Sequence, residues 1–399
     1  MSPPPLPGAP APAPALSPLE RELIATVERL CSGFSDAYWL EHDREGRFPE
    51  DFYQAVAKAG LLGIAMPETY GGAGLGIRQA ALMMERIAAS GAGMSGASAV
   101  HINIFGLHPV VVHGTEAQKR RFLPPLIAGA EKACFGVTEP DAGLDTLSIT
   151  TRAVRQGDVY VIHGQKIWTS TAREADRILL LARTTPRAEV RRKTEGLSLF
   201  YTRLDRSRVE IRPIAKMGRH AVDSNILHID GLEVPAEDRI GAEGEGFRLI
   251  LAGMNPERIL IAAEAVGLGR AALARAAAYA RERVVFGRPI GANQGIQHPL
   301  AEAWAGLEAA FLLTLAAADA FDCGEESGAY ANAAKLLAAE AGHRACERAV
   351  LTHGGMGYAQ DYHVERYLRE SYIPRLAPVS RELVLCYLAE RVLGLPRSY

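Results

Sequence analysis

The residues of this 399-residue chain that could carry chemistry are few and far apart. One is the carboxylate in Asn255-Pro256-Glu257-Arg258, where an N-cap residue followed by proline at the first helical position reads as a helix start. Glu257 then lies in a first turn, with Leu260 and Ile261 as an apolar flank one turn on. Apolar walls raise a carboxyl pKa and the helix dipole lowers it, so the local sequence leaves the net direction open. Arg258 projects about 100° away around the helix and need not pair with it. Glu264 shares the face of Glu257 but sits about 10.5 Å further along the axis, too far to serve the same α-carbon unless the substrate lies elsewhere, which makes it the rival on that face. The five cysteines, Cys31, Cys134, Cys323, Cys346 and Cys386, form neither a CxxC pair, a zinc site nor a disulfide framework. HExxH, GxSxG and Walker A motifs are absent. Gly267-Leu268-Gly269-Arg270-Ala271-Ala272 imitates a dinucleotide fingerprint, but helical periodicity on both flanks denies it the strand-to-helix turn that motif needs. Its small residues read instead as close helix packing.

These groups must be positioned by a large fold, since 48% of the residues are hydrophobic. Residues 1–18, nearly all Pro and Ala, are expected to form a disordered tail. Residues 19–133 carry apolar positions at three- and four-residue spacing and form a helical domain. Over residues 134–238 the period changes to two, in VYVIHG, RILLLAR, LSLFYTR and ILHIDGLEV, which predicts an antiparallel sheet domain. Residues 239–399 return to the helical period. With 44 Lys+Arg against 46 Asp+Glu, a net charge of -2 argues against nucleic acid as a partner. No apolar run of membrane-spanning length and no signal peptide is apparent, so the expected location is the cytoplasm.

Four motifs, FGVTEPDAGLD (135–145), QKIWTST (165–171), RERVVFGRPIGANQ (281–294) and HGGMGYAQDYHVERYLRE (353–370), occur in an order and context that resemble the acyl-CoA dehydrogenase family. The likeness covers nearly everything after the tail. It implies an α+β fold with an N-terminal helical domain, a middle antiparallel β domain and a C-terminal four-helix bundle. It also implies one FAD per subunit, a homotetramer or at least a dimer, and α,β-dehydrogenation of an acyl-CoA thioester to the 2-enoyl-CoA. The implied electron acceptor is an electron-transferring flavoprotein. An oxidase using oxygen, or a silent CoA- or flavin-binding relative, shares the same motifs.

By the same resemblance, Val137, Thr138, Trp168 and Ser170 contact the flavin ring. A Trp on an alternating strand is, by itself, ordinary sheet packing. Arg283, Phe286 and Gln294 match positions that reach the FAD of a neighbouring subunit, an Arg fork suiting its pyrophosphate, although an Arg at a helix end also caps carbonyls. Gly354 and Gly355 admit the same adenosine pyrophosphate, and Ser380 keeps the hydroxyl of a cofactor-contacting Thr. Two family positions differ: Leu144 replaces a Ser that contacts ligand phosphates, and Leu351 replaces a Gln. The family's usual catalytic Glu falls on Pro378, which cannot accept a proton. In the isovaleryl-CoA and long-chain branches the base comes from the helix position that is Glu257 here, with Arg258 and Val379 beside the substrate. Ala99 and His101 to Phe105 are candidate lining of the acyl pocket, His101 being equally readable as a satisfied interior histidine.

Overall fold

The computed structural model describes residues 16–398, except for the side chains of residues 103 and 105. Residues 1–15 of the expected tail lie outside the described residues. Its last three residues depart from that expectation. Ser17 accepts from the Glu20 N–H while the Glu20 carboxylate accepts from the Ser17 N–H, a capping box that starts α1 at Pro18. The helical lobe comprises α1 (Pro18–Cys31), α2 (Asp36–Glu45), α3 (Glu50–Lys58), α4 (Ile77–Ile87), α5 (Gly93–Phe105), α6 (His108–His113) and α7 (Glu116–Ile127). Trp39, Phe52, Met83 and Val100 are among the residues that close its core.

The middle of the chain forms β1 (Ala133–Gly136), β2 (Arg152–Gln156), β3 (Val159–Ser170), β4 (Arg177–Arg183), β5 (Leu197–Arg203), β6 (Val209–Pro213), β7 (Ser224–Pro235) and β8 (Arg239–Ile240). They make one sheet in the order β6-β7-β3-β2-β4-β5-β8, with β1 also paired to β4. The sheet is mixed rather than wholly antiparallel, because β1 and β2 both run parallel to β4 and share its edge. Parallel neighbours cannot be joined by a hairpin. Residues 137–151, which begin with Val137-Thr138-Glu139-Pro140, therefore leave the sheet between β1 and β2 as an excursion.

The C-terminal part begins with α8 (Gly246–Ile250) and α9 (Met254–Glu282), and continues through a hairpin of β9 (Val284–Val285) and β10 (Arg288–Pro289). It is completed by α10 (Gln294–Asp322), α11 (Gly328–His353), α12 (Val364–Glu370), α13 (Ile373–Leu376) and α14 (Arg381–Arg391). Three long helices and a fourth of 11 residues, α14, form the helical C-terminal domain for which a four-helix bundle was expected. The fingerprint decoy is a packing device: a Cβ at Gly269 would lie 3.0 Å from the Gly342 Cα, and one at Gly342 would lie 2.4 Å from the Ala265 carbonyl. Glycines here let α9 and α11 run side by side. Contrary to the sequence reading, α10 is long and apolar enough to cross a membrane. Its Leu307, Phe311, Leu315 and Ala318 are buried in the core shared with α9 and the N-terminal helices, as suits a core helix.

Candidate active site

Glu257 lies near the start of α9, but the start differs from the predicted one. A 3-10 turn, Leu251–Gly253, runs into the helix from α8, so the cap is Gly253 and Asn255 is already inside. Pro256 is tolerated because its missing N–H is one of the four that a helix start leaves free. Asn255 instead bridges, donating to Ser327 Oγ at 3.2 Å and accepting from Arg258 Nη1 at 3.2 Å. Arg258 folds back further, to the Met254 carbonyl, and so does not pair with Glu257. Glu257 is half-buried, and desolvation lifts its pKa to about 7. The fields of His101, Arg258 and Lys335 oppose that rise and Glu264 adds to it.

Behind Glu257 stands a polar set that the motifs did not indicate. Glu264 is fully buried and bonded to His101 Nδ1 on α5. His101 is therefore a partnered interior histidine that still lies within the field of Glu257, and the two carboxylates hold its pKa up against burial. Ala99, at 1% exposure, belongs to the N-terminal core. Asn103 and Phe105 have side chains outside the described set. Arg219, on the loop between β6 and β7, donates to Ser98 Oγ at 3.2 Å and to Ser170 and Ser224 Oγ at 2.9 Å.

That contact ties α5 to Ser170, one of the predicted flavin residues. The pairing of β3 with β7 slips between Lys166 and Thr169, and the bulge puts Trp168 at φ 59° with its ring 57% exposed. Ordinary sheet packing of Trp168 is thereby excluded. The Ile167 N–H turns away from β7 and donates to the Thr138 carbonyl at 2.9 Å, so the excursion after β1 and the bulge are hydrogen-bonded to each other. Beneath them Lys166, fully buried, donates to the Val137 carbonyl at 3.0 Å and to Glu139 at 2.9 Å. A lysine inside an alternating apolar run was the one sequence signal for this pair.

The loop carrying Pro378 is held from α11. Lys335 Nζ donates to the Val379 carbonyl at 2.5 Å, and burial draws its pKa down to about 8. Lys335 also feels Arg258, Glu257 and Glu382, which places this loop near the start of α9. Ser380 is the N-cap of α14, its Oγ accepting from the Leu383 N–H at 3.3 Å while its hydroxyl helps to lower the pKa of Glu382.

The remaining predicted residues are at the other end of the bundle. Arg283 closes α9, about 39 Å from Glu257 at 1.5 Å per residue. Its guanidinium is exposed and caps no carbonyl among the described residues, the cap being its backbone N–H on the Tyr279 carbonyl. Phe286 and Gly287, at φ 49° and 78°, form the two-residue turn of the β9–β10 hairpin. The Phe286 ring is fully exposed there. Gln294 is exposed at the first position of α10. Gly354 and Gly355 follow α11 at this same end, where His353 stacks on Tyr279 of α9, and open space surrounds the position of a Cβ on each.

Sequence comparison covers most of the described fold. Residues 17–130, 134–232 and 244–393 match the models for the N-terminal, middle and C-terminal domains of acyl-CoA dehydrogenase. The chain belongs to the acyl-CoA dehydrogenase family. It is 37% identical over 386 residues to acyl-CoA dehydrogenase FadE12 of Mycobacterium tuberculosis, covering 95% of this chain and 97% of that one. Subunit CarC of the caffeyl-CoA reductase-Etf complex of Acetobacterium woodii is 32% identical over 334 residues, 83% of this chain and 86% of that one. Butyryl-CoA dehydrogenase of Megasphaera elsdenii superposes with a TM-score of 0.90 at 28% identity, over 95% of this chain and 99% of that one. The protein is thus an oxidoreductase acting on a CH–CH bond, and the cofactor of this acyl-CoA dehydrogenase is FAD.

The described residues fit that cofactor. An exposed Trp168 on a positive-φ bulge, the half-buried Val137 and Thr138, and the Ser170 hydroxyl form a surface able to receive a flat ring. The open glycines after α11 and the unpaired Arg283 suit a pyrophosphate.

Proposed function

We propose that this acyl-CoA dehydrogenase converts an acyl-CoA to its 2-enoyl-CoA with Glu257 as the base that takes the α-proton, and passes the electrons to an electron-transferring flavoprotein. The observation that carries this reading is the placing of Glu257: a half-buried carboxylate with a pKa near 7, beside the loop where Pro378 removes the alternative base. A carboxylate of that pKa is ionised enough at neutral pH to accept a proton and basic enough to hold it. FAD, when bound, supplies the acceptor for the β-hydrogen. Val137, Thr138, Trp168 and Ser170 orient that cofactor, and Arg219 fixes Ser170 in turn. The thioester oxygen needs a donor as charge develops on it. The N–H of Val379 or the hydroxyl of Ser380 fills that role in a loop whose Pro378 has no N–H to offer.

Arg283, Phe286, Gln294, Gly354 and Gly355 complete the cofactor site of a second copy, because α9 holds them too far from Glu257 to serve their own. The flavoprotein acceptor is supported by the relative named as a subunit of a reductase-Etf complex. Anaerobic mixing of the FAD-loaded enzyme with a panel of acyl-CoAs tests the reading. Bleaching of the flavin by at least one thioester, with slow recovery in air and fast recovery on adding electron-transferring flavoprotein, is expected. Rapid recovery in air would make it an oxidase, and bleaching by none would defeat the proposal.

A further inference from the structure

Arg219 is a cation held without a carboxylate among the described residues. Its Nη1 donates to Ser98 on α5, and its Nη2 donates to Ser170 at the end of β3 and Ser224 at the start of β7. The partners are thus three neutral hydroxyls from three elements, and Nε is closed off from water with no acceptor among the described residues. The carboxylates whose field reaches Arg219 are engaged elsewhere: Asp223 with the Arg173 N–H and Asn225, Glu264 with His101, and Glu370 with Met94, Ser95 and Arg366. Burial opposes the charge more than any neighbour does, yet a guanidinium does not give up its proton inside a protein. The backbone is also bent to put this side chain here. Arg219 has φ 55°, a left-handed conformation that a residue with a Cβ keeps only where its surroundings fix it. Lys216 does so by donating to the Arg219 carbonyl and, at 2.8 Å, to the Val222 carbonyl, and Asp43 accepts from the His220 N–H at 3.2 Å.

We propose that Arg219 raises the reduction potential of the bound FAD, its charge being left uncancelled so that it acts on the flavin across Ser170. This rests on the reading of Ser170 as a flavin contact. The Ser170 Oγ is 2.9 Å from Nη2, and a hydroxyl that accepts from an arginine keeps its own proton to donate. A ring atom in hydrogen-bond contact with Ser170 is then within about 6 Å of the guanidinium. Reduction adds electrons to the flavin, and a desolvated cation at that range favours the electron-rich form. A carboxylate paired with Arg219 would cancel most of that field. Three serines hold the same fork in place and leave its charge intact.

The test is the midpoint potential of the FAD-loaded enzyme, free of acyl-CoA, measured anaerobically against reference dyes at fixed pH. No thioester is used, so the outcome does not depend on Glu257 being the base. Arg219→Gln keeps side-chain donors but loses the charge, and should lower the equilibrium constant for reduction about tenfold, which is about 30 mV for a two-electron couple. Arg219→Lys keeps the charge without the fork, and should stay near the wild-type potential even where FAD binds more weakly. Ser98→Asp sets a carboxylate beside Nη1 and should lower the potential with Arg219 still in place, which keeps the test open if the Gln variant does not fold. A purely structural Arg219 would make the Gln and Lys variants shift alike. That result, or a wild-type potential in the Gln or the Asp variant, would overturn the tuning role alone. Ser170→Ala tests the reading beneath it: the absorption spectrum or the Kd of bound FAD should change, and no change in either would remove Ser170 from the flavin and the inference with it.

Discussion

Whether Glu257 can act is decided by two energies of opposite sign at one side chain. Burial raises its pKa to about 7, and the cations around it keep it from rising further. Because the reactive form is the carboxylate, the rate of flavin reduction by acyl-CoA should increase with pH through about 7 and level off above it. Glu257→Gln should retain FAD and bind acyl-CoA, since the amide keeps the size, but lose flavin reduction by several orders of magnitude at every pH. Stopped-flow reduction across pH checks both statements. A Gln variant that reduces at the wild-type rate would move the base to Glu382 or Glu264.

At the scale of elements, buried pairs between distant segments hold the site in shape. The carboxyl of Glu139 is opposed by its own burial, yet Lys166 and the N–H groups of Thr150 and Thr151 hold its pKa at about 2. A carboxyl lowered in this way stabilises the fold at pH above its unfolded value of about 4.5, and that contribution is lost as pH falls toward 2. Lys166→Met strands a buried carboxylate and should cost about 3 kcal/mol at neutral pH by denaturant unfolding, with the cost shrinking in acid. FAD should be lost with it, because Lys166 also holds the Val137 carbonyl.

Lys335 plays the same part for the loop carrying Pro378. Lys335→Met should slow flavin reduction about tenfold or more while leaving FAD content unchanged, as the Val379 carbonyl loses its anchor and the oxyanion donor its position. Equal reduction rates in the variant and the wild type would detach Lys335 from the thioester clamp.

At the scale of the whole molecule, the end of the bundle about 39 Å from Glu257 carries exposed apolar residues. A fully exposed Phe286 at a two-residue turn, with Val284 and Val285 beside it at 55% and 37% exposure, is a poor surface to leave in water. Sedimentation of the purified yellow protein should give two or four chains with one FAD each. Phe286→Asp should lower both the assembly state and the FAD content, and a monomer that keeps its full FAD would show that no second copy completes the site.

Much of this was written locally. Helical and two-residue periods mark the three lobes, because burial of one face acts at the spacing of a single element. Glu257 could be singled out as a candidate because Pro378 cannot take a proton, although the helix start beside it is capped by Gly253 and not by Asn255. What the sequence could not determine depends on contacts between segments far apart in the chain. The bulge that exposes Trp168 arises from β3 pairing with β7, and the excursion bearing Val137 and Thr138 from two strands sharing one edge of β4. The pairs His101–Glu264, Arg219–Ser170, Lys166–Glu139 and Lys335–Val379 join elements whose residues show no periodicity with respect to each other. A charged residue at an apolar position signals that a partner exists, since an unpaired buried charge is too costly, but only the tertiary structure decides which residue that partner is.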